Sequence, residues 1–97
     1  MRVISKPVLH AFAESHPQAR NPLEDWYDAM LEGKWKNSAE LREHFPSADQ
    51  VRRCTVFNVG GNKYRLITRV NYRAQIVFVG FVLTHEEYNL EKWKGHC

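Results

Sequence analysis

Two short stretches of this chain carry the residue types that could do chemistry. In Lys63 to Asn71, read as a strand, alternate side chains point to opposite sides. Lys63, Arg65, Ile67, Arg69 and Asn71 fall on one side and Tyr64, Leu66, Thr68 and Val70 on the other. The second set suits a core. The first puts Lys63, Arg65 and Arg69 on one open face, successive side chains about 7 Å apart, near the phosphate spacing of a nucleic-acid strand. A solvated basic face would show the same pattern. The other stretch, Thr84-His85-Glu86-Glu87-Tyr88-Asn89, follows a strand end. A histidine shuttles protons near neutral pH, and a tyrosine hydroxyl can donate one or be held by cations. The same run also reads as a short helix with Thr84 as N-cap and Glu87 closing a capping box, and both readings can hold together.

Charge points the same way. Residues 1–50 hold six Lys/Arg and eight Asp/Glu, and residues 51–97 hold eight and three, so a net of −2 is followed by +5. No acidic residue lies between Asp49 and Glu86, where Arg52, Arg53, Lys63, Arg65, Arg69 and Arg73 all fall. Such one-sidedness suits a polyanionic partner, nucleic acid first. Other chemistries are poorly served. The five histidines and two cysteines show no CxxC, HxxxH or HExxH spacing, so no metal or other cofactor is expected. There is no G-x-S-x-G elbow and no phosphate-binding glycine loop, and 97 residues leave no room for a Rossmann unit with a substrate domain.

The elements that must position these residues follow from periodicity. Arg2-Val3-Ile4 reads as a short strand, then Ser5 as N-cap of a helix with Pro7 in its first turn and Val8, Leu9, Phe12 and Ala13 on one side. His16-Pro17 ends it. Pro22 opens a second helix, where Leu23, Trp26, Tyr27, Met30 and Leu31 form an apolar stripe stopped by Gly33 as a C′ residue. Asn37 and Glu40 resemble a capping box for a third, short helix through Leu41 and Phe45, ending at Pro46. From Val51 the period becomes strand-like. Arg53–Val59, Lys63–Asn71 and Gln75–Leu83 read as three strands, joined at Gly60-Gly61-Asn62 and Tyr72-Arg73-Ala74. The third strand, apolar on both sides, belongs in the interior of the sheet. The expected architecture is one α+β domain over 1–97: an antiparallel meander of three strands plus the N-terminal strand, with two to three helices packed on one face.

No run reaches the eighteen or so apolar residues of a membrane span, and Lys6-Pro7 interrupt any signal-peptide core, so a soluble cytoplasmic chain is expected. Two cysteines make no disulfide framework. Cys54 is expected as a buried thiol and Cys97 as a free one.

Taken together, Val56 to Ile67, containing Phe57-Asn58-Val59-Gly60-Gly61-Asn62-Lys63-Tyr64-Arg65, and Thr84 to Asn89 resemble the HigB toxins of bacterial toxin–antitoxin systems, in the RelE superfamily of mRNA interferases. Phe45-Pro46-Ser47-Ala48-Asp49 looks like that family's link between helices and sheet, and the likeness covers nearly the whole chain. It implies a RelE-like fold and a toxin that enters the ribosomal A site and cuts mRNA during translation. It also implies a HigA-type antitoxin with a helix-turn-helix domain, so that DNA is met only through the antitoxin. Cleavage without metal is attack of a ribose 2′-OH on the adjacent phosphate, giving a 2′,3′-cyclic phosphate and a free 5′-OH. By this resemblance Arg65 stabilises the phosphate's growing charge, His85 is base or acid, and Tyr88 orients the phosphate, donates a proton or stacks on a base. Lys63, Arg69 and Arg73 would hold RNA phosphates, and Asn62 and Asn71 would add hydrogen bonds. Asn89 departs from the family's frequent Asp, so any carboxylate role there is lost or passes to Glu87. The alternative is a non-catalytic RNA-binding module using the same basic face. A helix-turn-helix repressor fits less well, because the cations sit on strands.

Overall fold

The computed structural model describes residues 1–97. Its elements run β1 (Arg2–Ile4), α1 (Lys6–Ser15), a 3₁₀ turn at Pro17–Ala19, α2 (Arg20–Glu32), α3 (Ser38–His44), β2 (Asp49–Val51), β3 (Cys54–Val59), β4 (Tyr64–Asn71), β5 (Ile76–Thr84), α4 (His85–Asn89) and a 3₁₀ turn at Lys92–His96. The sheet order is β1-β5-β4-β3-β2. All pairs are antiparallel except β1 with β5. The α+β architecture, the meander and the N-terminal strand are as expected. A fifth strand, β2, is added at the edge beside β3. Its three residues are too few for alternation to show in a sequence.

The helices cover one face. Leu9, Leu23, Trp26, Met30 and Leu41 pack on Phe57, Val59, Leu66, Val77 and Val82 in a single core cluster. The Trp26 and Phe57 rings meet edge-on at 5.4 Å, and Phe45 meets Phe57 at 5.1 Å. Such aromatic pairs add to area burial, each by about 0.5–1.5 kcal/mol. From the expected α2 stripe, Leu31 turns away and is 47% exposed.

Three local readings change. Ser5 precedes α1 in a left-handed conformation and makes no side-chain cap. Gly33 ends α2 in extended backbone, not as a left-handed stop. What requires glycine there is the Trp35 ring, which a Cβ would meet at 1.9 Å. Asn37 does cap α3, accepting from the Glu40 N–H at 3.0 Å, but Glu40 accepts from the Lys36 N–H instead of closing the box on Asn37.

β5 is apolar on both of its sides, and a bulge interrupts it. Ile67 pairs with Phe81 and Thr68 with Val79, leaving Gly80 as the extra residue. A Cβ on Gly80 would meet the Ile67 carbonyl at 3.0 Å. The bulge shifts parity along β5, so Val77, Val79 and Val82 all face the helices while Phe81 and Leu83 face the opposite side.

That opposite side is not open. The Lys92–His96 turn lies across it, with Trp93 3% exposed and packed with Cys54, Val56 and Ile67. The cysteines are not separate thiols, since Cys54 and Cys97 form a disulfide with Cα atoms 5.3 Å apart. Their sequence separation of 43 residues concealed this, because only the return of the C-terminal segment onto β3 brings them together. Arg53 N–H donates to the Cys97 carbonyl at 3.4 Å and Arg52 to the Lys94 carbonyl at 3.2 Å, fixing the same strap.

Candidate active site

The β3–β4 turn, the end of β5 and α4 meet at one corner of the sheet. Gly60 and Gly61 both hold positive φ, which lets the hairpin close tightly and turns the Asn62 carbonyl back over β4. Arg65, next along β4, pairs with Leu83 on β5, and Tyr64 pairs with Thr84 just before α4 begins. Thr84 accepts from the Glu87 N–H at 3.2 Å, and Glu87 accepts from the Thr84 N–H at 2.9 Å. This full capping box starts α4 as the sequence suggested. It satisfies two backbone donors that the short helix otherwise leaves free. His85 N–H donates to the Lys63 carbonyl at 3.0 Å, tying α4 to the hairpin.

These elements converge on Arg65. Its guanidinium donates to the Asn62 carbonyl at 3.1 Å and the Tyr64 carbonyl at 3.2 Å. It also lies 3.3 Å from His85 Nδ1 and 5.2 Å from the centre of the Tyr88 ring. A guanidinium only donates, so a hydrogen bond in this contact uses Nδ1 as its acceptor. Tyr88 in turn stacks on Trp93, rings 4.9 Å apart and 14° from parallel. The result is a fixed cation with a proton-carrying imidazole and a phenol beside it.

The other expected site residues divide. Lys63 is exposed at the same corner, 3.5 Å from Gln18 Oε1. Asn62 is exposed there too and contributes its carbonyl to Arg65. Arg69 is exposed further along β4 and donates to the His96 carbonyl of the strap. Asn71 and Arg73 lie at the opposite end of β4, some 20 Å from Arg65 by strand rise. There Asn71 accepts from the Ala74 N–H at 3.0 Å and shapes the β4–β5 turn. The expected open row Lys63–Arg65–Arg69 is therefore broken. Arg65 is only 8% exposed, between the hairpin carbonyls and Tyr88, and Ile67 lies beneath Trp93. Trp93 itself was missed. An isolated tryptophan within Glu91-Lys92-Trp93-Lys94 was the available signal, since a large apolar ring among charges needs somewhere to dock. The structure brings no group of three or more His, Cys, Asp or Glu together as a metal site, and no helix is long and apolar enough to cross a membrane.

Residues 19–91 match the family described as HigB_toxin, RelE-like toxic component of a toxin-antitoxin system. The chain belongs to the HigB toxin family. It is 33% identical over 92 residues to the mRNA interferase toxin HigB of Escherichia coli strain K12, covering 92% of this chain and 88% of that one. The mRNA interferase HigB of Shigella flexneri shows the same identity and coverage. That of Escherichia coli O6:H1 is 29% identical over 92 residues, with 92% and 89% covered. The matched family region takes in α2 through α4, including Arg65, His85 and Tyr88 but not the Trp93 strap.

Proposed function

We propose that this chain cuts mRNA on the translating ribosome without a metal, with Arg65, His85 and Tyr88 as its catalytic residues. The coarser part follows from family membership: the chain is the toxin of a toxin–antitoxin system and an endoribonuclease. The observation that carries the finer reading is the convergence of His85 and Tyr88 on the buried Arg65 guanidinium. Transesterification by a ribose 2′-OH needs a proton acceptor for the nucleophile, positive charge for the phosphorane-like transition state, and a proton for the departing 5′-oxygen. Arg65 supplies charge that is already oriented, because two backbone carbonyls hold it in place. His85 and Tyr88 supply the two proton positions. Lys63 and Asn62 at the rim hold the RNA backbone. Arg69 guides it along β4, and Arg73 and Asn71 contact ribosomal or message phosphates at the far end. A HigA-type helix-turn-helix antitoxin restrains the toxin and links it to DNA. The site of action places the chain in the cytoplasm.

A purely RNA-binding module would need a basic row open to solvent, and burial of Arg65 counts against it. The test is to map 5′ ends on an mRNA incubated with the purified chain, with and without translating ribosomes. Cuts that need ribosomes are expected. Arg65→Ala is expected to slow them by about 10²–10³-fold, as removal of a preorganised donor does, and His85→Ala with Tyr88→Phe to abolish them. Cuts on free RNA would remove the ribosome from the mechanism. Equal loss of binding and cutting in Arg65→Ala would return the site to simple binding.

A further inference from the structure

The strap Lys92–Cys97 lies outside the region matched to the family, yet it reaches the site. α4 has five residues, less than two turns, and so has little stability of its own. What holds Tyr88 is Trp93. The two rings stack, and the Trp93 indole N–H donates to the Tyr88 carbonyl at 2.9 Å. Trp93 is itself held from below by Cys54, Val56 and Ile67. The strap that carries it is closed by the Cys54–Cys97 bond and by carbonyls that accept from Arg52, Arg53 and Arg69.

We infer that Trp93 is a positioning residue that fixes Tyr88 over Arg65, and that the Cys54–Cys97 disulfide is a redox latch that keeps it there. The inference rests on the proposed role of Arg65, His85 and Tyr88. An enzyme acting on mRNA works among reduced thiols, where a protein disulfide is usually transient and sensing. The latch closes by thiol–disulfide exchange. The Cys54 and Cys97 thiols together with a small-molecule disulfide give the protein disulfide and two small-molecule thiols. One S–S bond forms in the protein, one breaks in the oxidant, and the two thiol protons pass to the oxidant's sulfurs. A dithiol reductant reverses it. Opened, the strap is held only by Trp93 and three hydrogen-bonded carbonyls at most, so Tyr88 samples positions away from Arg65. Displacing a reacting group from its productive geometry lowers turnover far more than substrate affinity.

The experiment uses the full chain in oxidised and reduced forms, beside Trp93→Phe, Trp93→Leu and the Cys54→Ala/Cys97→Ala pair. The first readout needs no RNA: the NMR shifts of the Tyr88 ring protons. In the oxidised wild type they are expected well upfield of a free tyrosine, because they lie over the indole. They should move towards the free value on reduction, in Trp93→Leu and in the cysteine pair, and stay near the wild-type position in Trp93→Phe. The second readout is cleavage on programmed ribosomes. Reduction and Trp93→Leu are expected to lower kcat about tenfold with KM little changed, and Trp93→Phe to recover most of it. Ring-proton shifts that ignore reduction overturn the latch, and shifts that ignore Trp93→Leu overturn the positioning role. A loss of folding in Trp93→Leu with unchanged behaviour in Trp93→Phe and on reduction reduces Trp93 to a structural plug and overturns both. If the wild type cuts no RNA, the reading of the site fails, and the ring protons still decide whether Trp93 places Tyr88.

Discussion

On one face of the sheet, α1, α2 and α3 bury a continuous cluster of fifteen residues, whereas on the other a five-residue turn covers a cluster of four. The first face is secured by many apolar contacts distributed over most of the chain. The second depends on one tryptophan, one covalent bond and a few carbonyls. Regions with few buried contacts open at lower free energy than the core. The candidate site, with Arg65 and Tyr88, lies against the less secured face. Rigid support on one side and a releasable cover on the other suit an enzyme that must hold its geometry and still be entered.

The contrast can be broken most directly by Phe57→Ala. Phe57 is 1% exposed at the centre of the helix face, and its loss should cost about 3–5 kcal/mol, read as denaturant or thermal unfolding of the whole chain. Reduction of the disulfide acts on the other face. Its 43-residue separation corresponds to about 4 kcal/mol of loop-closure stabilisation at most. Hydrogen exchange is expected to show the strap opening while β4 and β5 amides stay protected. Simultaneous loss of protection in both would mean the faces are not separable. Thr84→Ala removes half of the capping box and should cost about 1 kcal/mol, with faster exchange confined to α4. The smallest effect concerns Tyr72, packed against the helix-side core. Burial raises its hydroxyl above the ordinary 10.0, and the nearby Thr55 hydroxyl that pulls the other way does not reach hydrogen-bond geometry. The unfolded chain therefore loses this proton first as pH rises. The stability tied to it is complete below pH 10 and declines as pH climbs through the raised folded value. Tyr72→Phe should leave stability at neutral pH unchanged or slightly higher and flatten that alkaline decline in an unfolding series.

Much was legible in the sequence because its signals are local. The α2 stripe, the glycine turn at Gly60-Gly61, the Thr84–Glu87 capping box and the three long strands each follow from residues a few positions apart, and the phrase around Arg65 with the run His85 to Tyr88 pointed to the family. Alternation also assigned Tyr64 and Leu66 correctly to the core. The readings that changed needed knowledge of a distant partner. Arg65 shared a strand side with Lys63 and Arg69, but whether that side met water depended on a segment some thirty residues later folding back over it. β5 is apolar on both sides without lying between two helix layers, because Phe81 and Leu83 pack towards the Trp93 cluster on the side away from the helices.

By itself the sequence determined the order and type of the main elements, the placement of positive charge on the strands, and the residues available for proton transfer, since periodicity, turn chemistry and charge act over short distances along the chain. The tertiary structure alone decided that Arg65 is a buried, oriented cation with His85 and Tyr88 against it. It also decided that Asn71 and Arg73 lie a strand's length away, and that Cys54 meets Cys97 over Trp93. Those outcomes come from chain closure. Burial, stacking and a disulfide each need two segments to arrive at one place, and no local pattern records where the second will come from.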